Sequence, residues 1–138
     1  MAELGYQGGC LCGQLRFGAA EAAVDAGYCH CRICQRSTGA PVLAWVAFPK
    51  GAFRYAQGEP AVYRSSPQAQ REFCPRCGTQ IAFRDDTSPH VDVNIASLDA
   101  PEAVEPRWHI FTASRIPWFD CADDLPRYED DGPQAPAV

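Results

Sequence analysis

A chain of 138 residues is long enough to bury the core of one domain without disulfide staples. Its 46% apolar and 21% charged residues are globular composition, which excludes a disordered chain. A formal net charge of −5 argues against a nucleic-acid partner, which needs a basic face. No run approaches the roughly 18 apolar residues that span a membrane.

Met1 to Gly9 has neither a basic start nor an apolar run, so no secretory signal is expected and the location is read as cytoplasmic. Half-buried strands are predicted at Gln14–Phe17, Val42–Phe48, Ala61–Arg64, Gln80–Arg84 and Val91–Ile95, from alternation and β-branched or aromatic content. The one helical signal, Ser97–Val104, is interrupted by Pro101 and predicts no more than a turn. Glu129–Val138 is acidic, contains proline and reads as a loose tail. The expected organisation is a single all-β domain over residues 5–128 with many turns, followed by the tail at 129–138.

Eight cysteines in a chain expected to stay reduced call for a reason other than disulfides. They fall as Cys10-Leu-Cys12, Cys29-His-Cys31-Arg-Ile-Cys34, Cys74-Pro-Arg-Cys77 and a solitary Cys121. In extended chain, residues two apart face the same way. Cys10 and Cys12 are therefore expected to project together with Leu11 turned away, and Cys29 and Cys31 together with His30 opposite and not a ligand. Cys74-Pro-Arg-Cys77-Gly78 has the form of a knuckle turn that aims backbone N–H groups at its sulfurs and presents two thiolates to one tetrahedral zinc.

Seven cysteines divide as four plus three. Cys10, Cys12, Cys74 and Cys77 are expected to close a structural zinc site. Cys29, Cys31 and Cys34 are expected to hold a second zinc with its fourth position open to water or substrate. Three ligands release a metal more readily than four. A disulfide framework is disfavoured because neighbours two apart in one strand do not bridge. A redox dithiol at Cys31/Cys34 or Cys74/Cys77 lacks an expected strand-to-helix junction. Cys121 reads as a spare thiol or a small residue.

The chain resembles the glutathione-dependent formaldehyde-activating enzymes, grouped with centromere protein V. The resemblance rests on Gly8-Gly9-Cys10-Leu-Cys12-Gly13 with Arg16-Phe17, and on Cys29-His-Cys31-Arg-Ile-Cys34 with Gly39-Ala40-Pro41. It continues through Trp45, Ser65-Ser66, Arg71-Glu-Phe-Cys74-Pro-Arg-Cys77-Gly78-Thr79, Leu98-Asp99, Pro106, His109-Ile110, Trp118 and Leu125-Pro126. It implies an all-β folded-leaf (Mss-like) architecture of several coiled antiparallel sheets. It also implies a structural zinc on Cys10, Cys12, Cys74 and Cys77, and a reactive zinc on Cys29, Cys31 and Cys34. The implied activity is that of a carbon–sulfur lyase, joining formaldehyde or a related small aldehyde to glutathione as S-(hydroxymethyl)glutathione.

Around that site, Arg32 and Arg36 are candidates to pair with glutathione carboxylates, against the reading of ordinary surface arginines. Trp45 is read as core rather than site wall, His109 as a satisfied structural histidine, and no general base is evident. Two other classes fit the same cysteines: a non-catalytic zinc module that docks a protein, and a carrier of glutathione adducts.

Overall fold

The computed structural model describes residues 5–132. In chain order its elements are β1 (Tyr6–Gly9), β2 (Arg16–Ala19), β3 (Asp25–Cys29), α1 (Arg32–Thr38), β4 (Leu43–Pro49), β5 (Phe53–Gln57), β6 (Ala61–Ser66), β7 (Ala69–Phe73), β8 (Gln80–Asp85), β9 (His90–Asn94) and β10 (His109–Ile110). They form a three-stranded sheet, β1-β2-β5, and a seven-stranded sheet, β10-β3-β4-β9-β8-β7-β6. Every pairing is antiparallel except β10 with β3.

The protein is thus mostly β, as expected. The five predicted strands correspond to β2, β4, β6, β8 and β9, while Ser97–Val104 holds a short 3₁₀ turn at Pro101–Ala103 and the last residue of another, Ile95–Ser97. The helix α1 was not foreseen. It supplies the strand-to-helix junction that the cysteine pattern was expected to lack, because Cys31 lies between β3 and α1.

Alternation in β4 and β9 decides which face is core. Val46, Phe48, Val91 and Val93 are completely buried and pack with Ile81 of β8 and with Phe17 and Phe53 of the small sheet. Each such side chain contributes about 1.5–3 kcal/mol relative to exposure. The alternate residues Leu43, Trp45, Ala47, His90, Asp92 and Asn94 point to the other face, where they line a cleft. Trp45 is therefore a cleft residue, contrary to the core position expected for an aromatic in an apolar strand.

The C-terminal segment packs beside β10. Thr112 N–H donates to the Tyr128 carbonyl at 3.0 Å, and Phe111 N–H to the Asp130 carbonyl at 2.7 Å. Of the stretch expected to be loose, 129–132 is described and 133–138 lies outside the described residues.

Candidate functional site

Seven of the eight cysteines gather into two groups, in each of which the sulfurs lie within 4.8 Å of one another: Cys10, Cys12, Cys74 and Cys77, and Cys29, Cys31 and Cys34.

The first group is built by two facing turns. Cys74 Sγ accepts from the N–H groups of Arg76 and Cys77, both at 3.4 Å. The turn closes with Gly78 N–H on the Cys74 carbonyl at 2.9 Å. Gly78 sits at φ +81°, a conformation that side chains disfavour. The expected knuckle is present. Cys10–Gly13 repeats the device, with Leu15 N–H on Cys10 Sγ at 3.2 Å and Gly13 at φ +82°. Cys10 and Cys12 therefore converge through a turn rather than through the extended strand that their spacing suggested. Leu11 N–H donates to Thr79 Oγ1 at 3.0 Å and ties the two turns together.

The Cys10–Cys12 and Cys12–Cys74 sulfur separations are 3.6 and 3.8 Å. A tetrahedron of thiolates about 2.3 Å from a zinc has edges of about 3.8 Å, so this donor set fits the ion. Charge is already biased toward the thiolate at one corner, where the hydroxyl and N–H of Thr79 hold Cys77 down to about 5. Cys12 is pushed up to about 11 by burial and by its sulfur neighbours, against the lowering effect of the Gln14 N–H. Four sulfurs this close reach full ionisation only around a cation.

The second group sits where β3 meets α1. Cys29 ends the strand, and Cys31 caps the helix with its Sγ accepting from Cys34 N–H at 3.2 Å. Cys34 lies one turn in and is buried, as is Cys29. Hydrogen bonds from Cys29 and Cys34 hold Cys31 down to about 2, while the same contacts raise Cys29. One sulfur of the three takes the charge at the expense of its neighbours, and a divalent cation is the partner that lets all three carry it. His30 is turned away, as expected. Its Nε2 lies 2.8 Å from His109 Nδ1, and His109 Nε2 lies 3.0 Å from the Asp123 carboxylate. His109 is the satisfied buried histidine that was anticipated. Cys121 joins His109 and Asp123 in a third group within 4.8 Å, in which Arg127 already pairs with Asp123 at 3.0 Å.

Only the second group borders the cleft, a cavity of about 530 Å³ walled by Trp45, Trp108, Phe83 and Phe111. That volume is within the usual range for small-molecule sites. Gly27 has to be glycine for the wall to close, since a Cβ there would stand 2.8 Å from Trp108 and 2.9 Å from Trp45. Strand register places Asp25, Ala47, Asp92, Phe83 and Arg71 in one row across five strands. Burial, with the charges of Asp25 and Asp85 nearby, pushes the Asp92 carboxyl up to about 7. No described residue donates a hydrogen bond to it. That row lies four residues along β4 from Leu43, the partner of Cys29, or roughly 13 Å at 3.3 Å per residue.

Arg32 and Arg36, the arginines singled out from the sequence, are exposed on α1 and do not border the cleft. Arg71 borders it instead, is 7% exposed and places both guanidinium NH groups 3.8 Å from Cys34 Sγ. Sequence reasoning gave Arg71 no role because the strand that carries it, β7, was not among the predicted strands. Its place just before the Cys74 knuckle was the available signal.

Among the described residues no helix is long and apolar enough to cross a membrane. The chain is 31% identical over 78 residues to an uncharacterized lyase of Schizosaccharomyces pombe, and spans about half the length of that curated relative, 56% of each chain. A crystal structure of a Rhodobacter sphaeroides protein matches the fold with a TM-score of 0.57 at 24% identity, covering 88% of this chain and 98% of that one. Residues 5–114 match the family model described as glutathione-dependent formaldehyde-activating enzyme. With about four-fifths of its length inside that match, and two cysteine groups of zinc-binding geometry, the chain belongs to the glutathione-dependent formaldehyde-activating enzyme family.

Proposed function

We propose that this protein is a zinc-dependent carbon–sulfur lyase-type enzyme whose site is the Cys29–Cys31–Cys34 cluster. Its substrates on this reading are a small thiol, glutathione, and formaldehyde or a related small aldehyde. Cys10, Cys12, Cys74 and Cys77 hold a second zinc that is structural. The observation that carries the reading is the asymmetry of the two groups. Four sulfurs stand together away from the cleft, the number a closed tetrahedral site needs, whereas the other three border a cavity of about 530 Å³.

Cys29, Cys31 and Cys34 would hold the zinc, which when bound would supply an open position favouring the thiolate form of an incoming thiol. The reaction forms one C–S bond between that sulfur and the carbonyl carbon, and the thiol proton ends on the former carbonyl oxygen. The chain's own share is to bind and orient. Trp45, Trp108 and Phe83 remove water from the cleft, and holding both reactants beside the cluster lowers the entropic cost of a bimolecular addition. Trp45 Nε1 is buried without a partner and is free to donate to a bound ligand. Asp25 and Asp92, roughly 13 Å along the sheet from the Cys29 row, suit the ammonium group of an extended peptide thiol.

NMR exchange spectroscopy on formaldehyde with glutathione tests the reading. The protein is expected to accelerate formation and breakdown of the adduct above background, and Cys34→Ser to abolish the acceleration. Exchange at the background rate with equimolar protein would leave a carrier or a docking module in place of an enzyme.

A further inference from the structure

Arg71 is the buried group that the proposed chemistry leaves without a task. It has no carboxylate within salt-bridge distance among the described residues, and its neighbour Glu72 turns to the opposite face to pair with Arg84 and Tyr55. Its guanidinium lies on the Phe83 ring, 4.8 Å from the centroid, donates to Ser37 Oγ at 3.4 Å, and directs two N–H groups at Cys34 Sγ. Nε is buried with no partner. Asp92 lies across Phe83 in the same row, and Asp25 and Asp85 border the same cleft, but none of the three pairs with Arg71.

A guanidinium is charged at every accessible pH, and burying one without an anion is strongly unfavourable. The group its N–H atoms point at, and that becomes anionic as a thiolate, is Cys34 of the sulfur cluster. Three thiolates around a divalent ion carry a net charge of about −1, and a fourth thiolate makes it about −2. A neutral fourth ligand leaves it unchanged. A fixed positive charge against Cys34 therefore favours an anionic ligand over a neutral one.

We infer that Arg71 is the counter-charge of the Cys29–Cys31–Cys34 cluster and the residue that makes its open position selective for an anionic sulfur ligand. This rests on reading that cluster as an open metal site. Arg71 is a positioning residue, acting on the ligand through Cys34.

The test loads the full chain with Co²⁺, whose thiolate charge-transfer and ligand-field bands report the sulfur count and the fourth ligand. Titrations with 2-mercaptoethanol and with imidazole then compare an anionic and a neutral ligand of similar size. Arg71→Met is expected to weaken mercaptoethanol by about 10–100-fold, the range for outer-shell partners of metal ligands, with imidazole changed by less than about threefold. Arg71→Lys keeps the charge and is expected to retain the preference within about threefold. Arg36→Gln, an exposed neighbour on α1, controls for general surface charge. Equal weakening of both ligands by Arg71→Met would reduce Arg71 to a packing role. Unchanged mercaptoethanol affinity, or loss of the preference in Arg71→Lys, would overturn the inference, and the lysine variant alone decides if the methionine variant does not fold. A wild-type chain that takes a single Co²⁺ and leaves Cys29, Cys31 and Cys34 alkylatable would instead refute the open-site reading, whatever Arg71 does.

Discussion

Cys74→Ser and Cys34→Ser change the same atom in two groups and are expected to fail in different ways. Cys74 is completely buried, and Cys10 and Cys74 belong to the main hydrophobic cluster with Leu15, Phe17 and Ile81. The four-sulfur site thus joins the turn after β1 to the turn after β7 from within the core. Structural zinc sites supply roughly 10–16 kcal/mol of apparent binding energy, which is folding energy when the site forms only in the native state. One thiolate in four is then worth about 3–4 kcal/mol, a large share of the roughly 5–15 kcal/mol that holds a domain folded. At about 3 °C per kcal/mol for a chain of this size, Cys74→Ser lowers Tm by roughly 10 °C. Cys34 sits in a seven-residue helix at the cleft edge, and Cys34→Ser is expected to cost less than half as much while releasing one metal. Thermal melts with zinc counted by native mass spectrometry, before and after a chelator, measure both effects. Equal Tm losses, or a Cys74→Ser chain as stable as wild type, would refute the division of the cysteines into four and three.

Asp92 sits at about 7 in the folded protein against 3.8 as the ordinary value, through burial and the facing Asp25 and Asp85 carboxylates, with Arg71 opposing them. The stability it provides by keeping its proton is complete below pH 3.8 and is lost as pH rises through about 7. Asp92→Asn should match wild type near pH 4 and exceed its Tm at pH 8 by up to roughly 10 °C, and a Tm difference independent of pH would contradict this. Gly27→Ala drives a methyl into Trp45 and Trp108, so a loss of about 1–3 kcal/mol in urea melts is expected together with weaker thiol binding. Unchanged binding in a destabilised protein would separate that wall from the ligand.

The parts of the site that sequence could carry are those set by local spacing. The Cys74–Gly78 knuckle needs only its own five residues, and β4, β8 and β9 announce themselves by alternation. The helix α1 did not, because it is seven residues long, has no acid in its first turn and is capped by a cysteine rather than by Ser, Thr, Asp or Asn. Gly39, left-handed at its end, was the one local hint. Without the helix, nothing shows that Cys34 comes to rest against Arg71, thirty-seven residues away. The cleft follows from the same gap. Trp45 and Asp92 lie on a sheet face that sequence can mark as alternate to the core, but only the covering elements decide whether that face meets water or a ligand.

The most direct measurement is native mass spectrometry of the full chain with and without glutathione, on wild type and Cys34→Ser. Two zinc ions per wild-type chain, and a glutathione adduct on the two-zinc form that the one-zinc variant does not take, is the result this account predicts. A single zinc in wild type, or an adduct that persists in Cys34→Ser, would contradict an open three-cysteine site that receives a thiol.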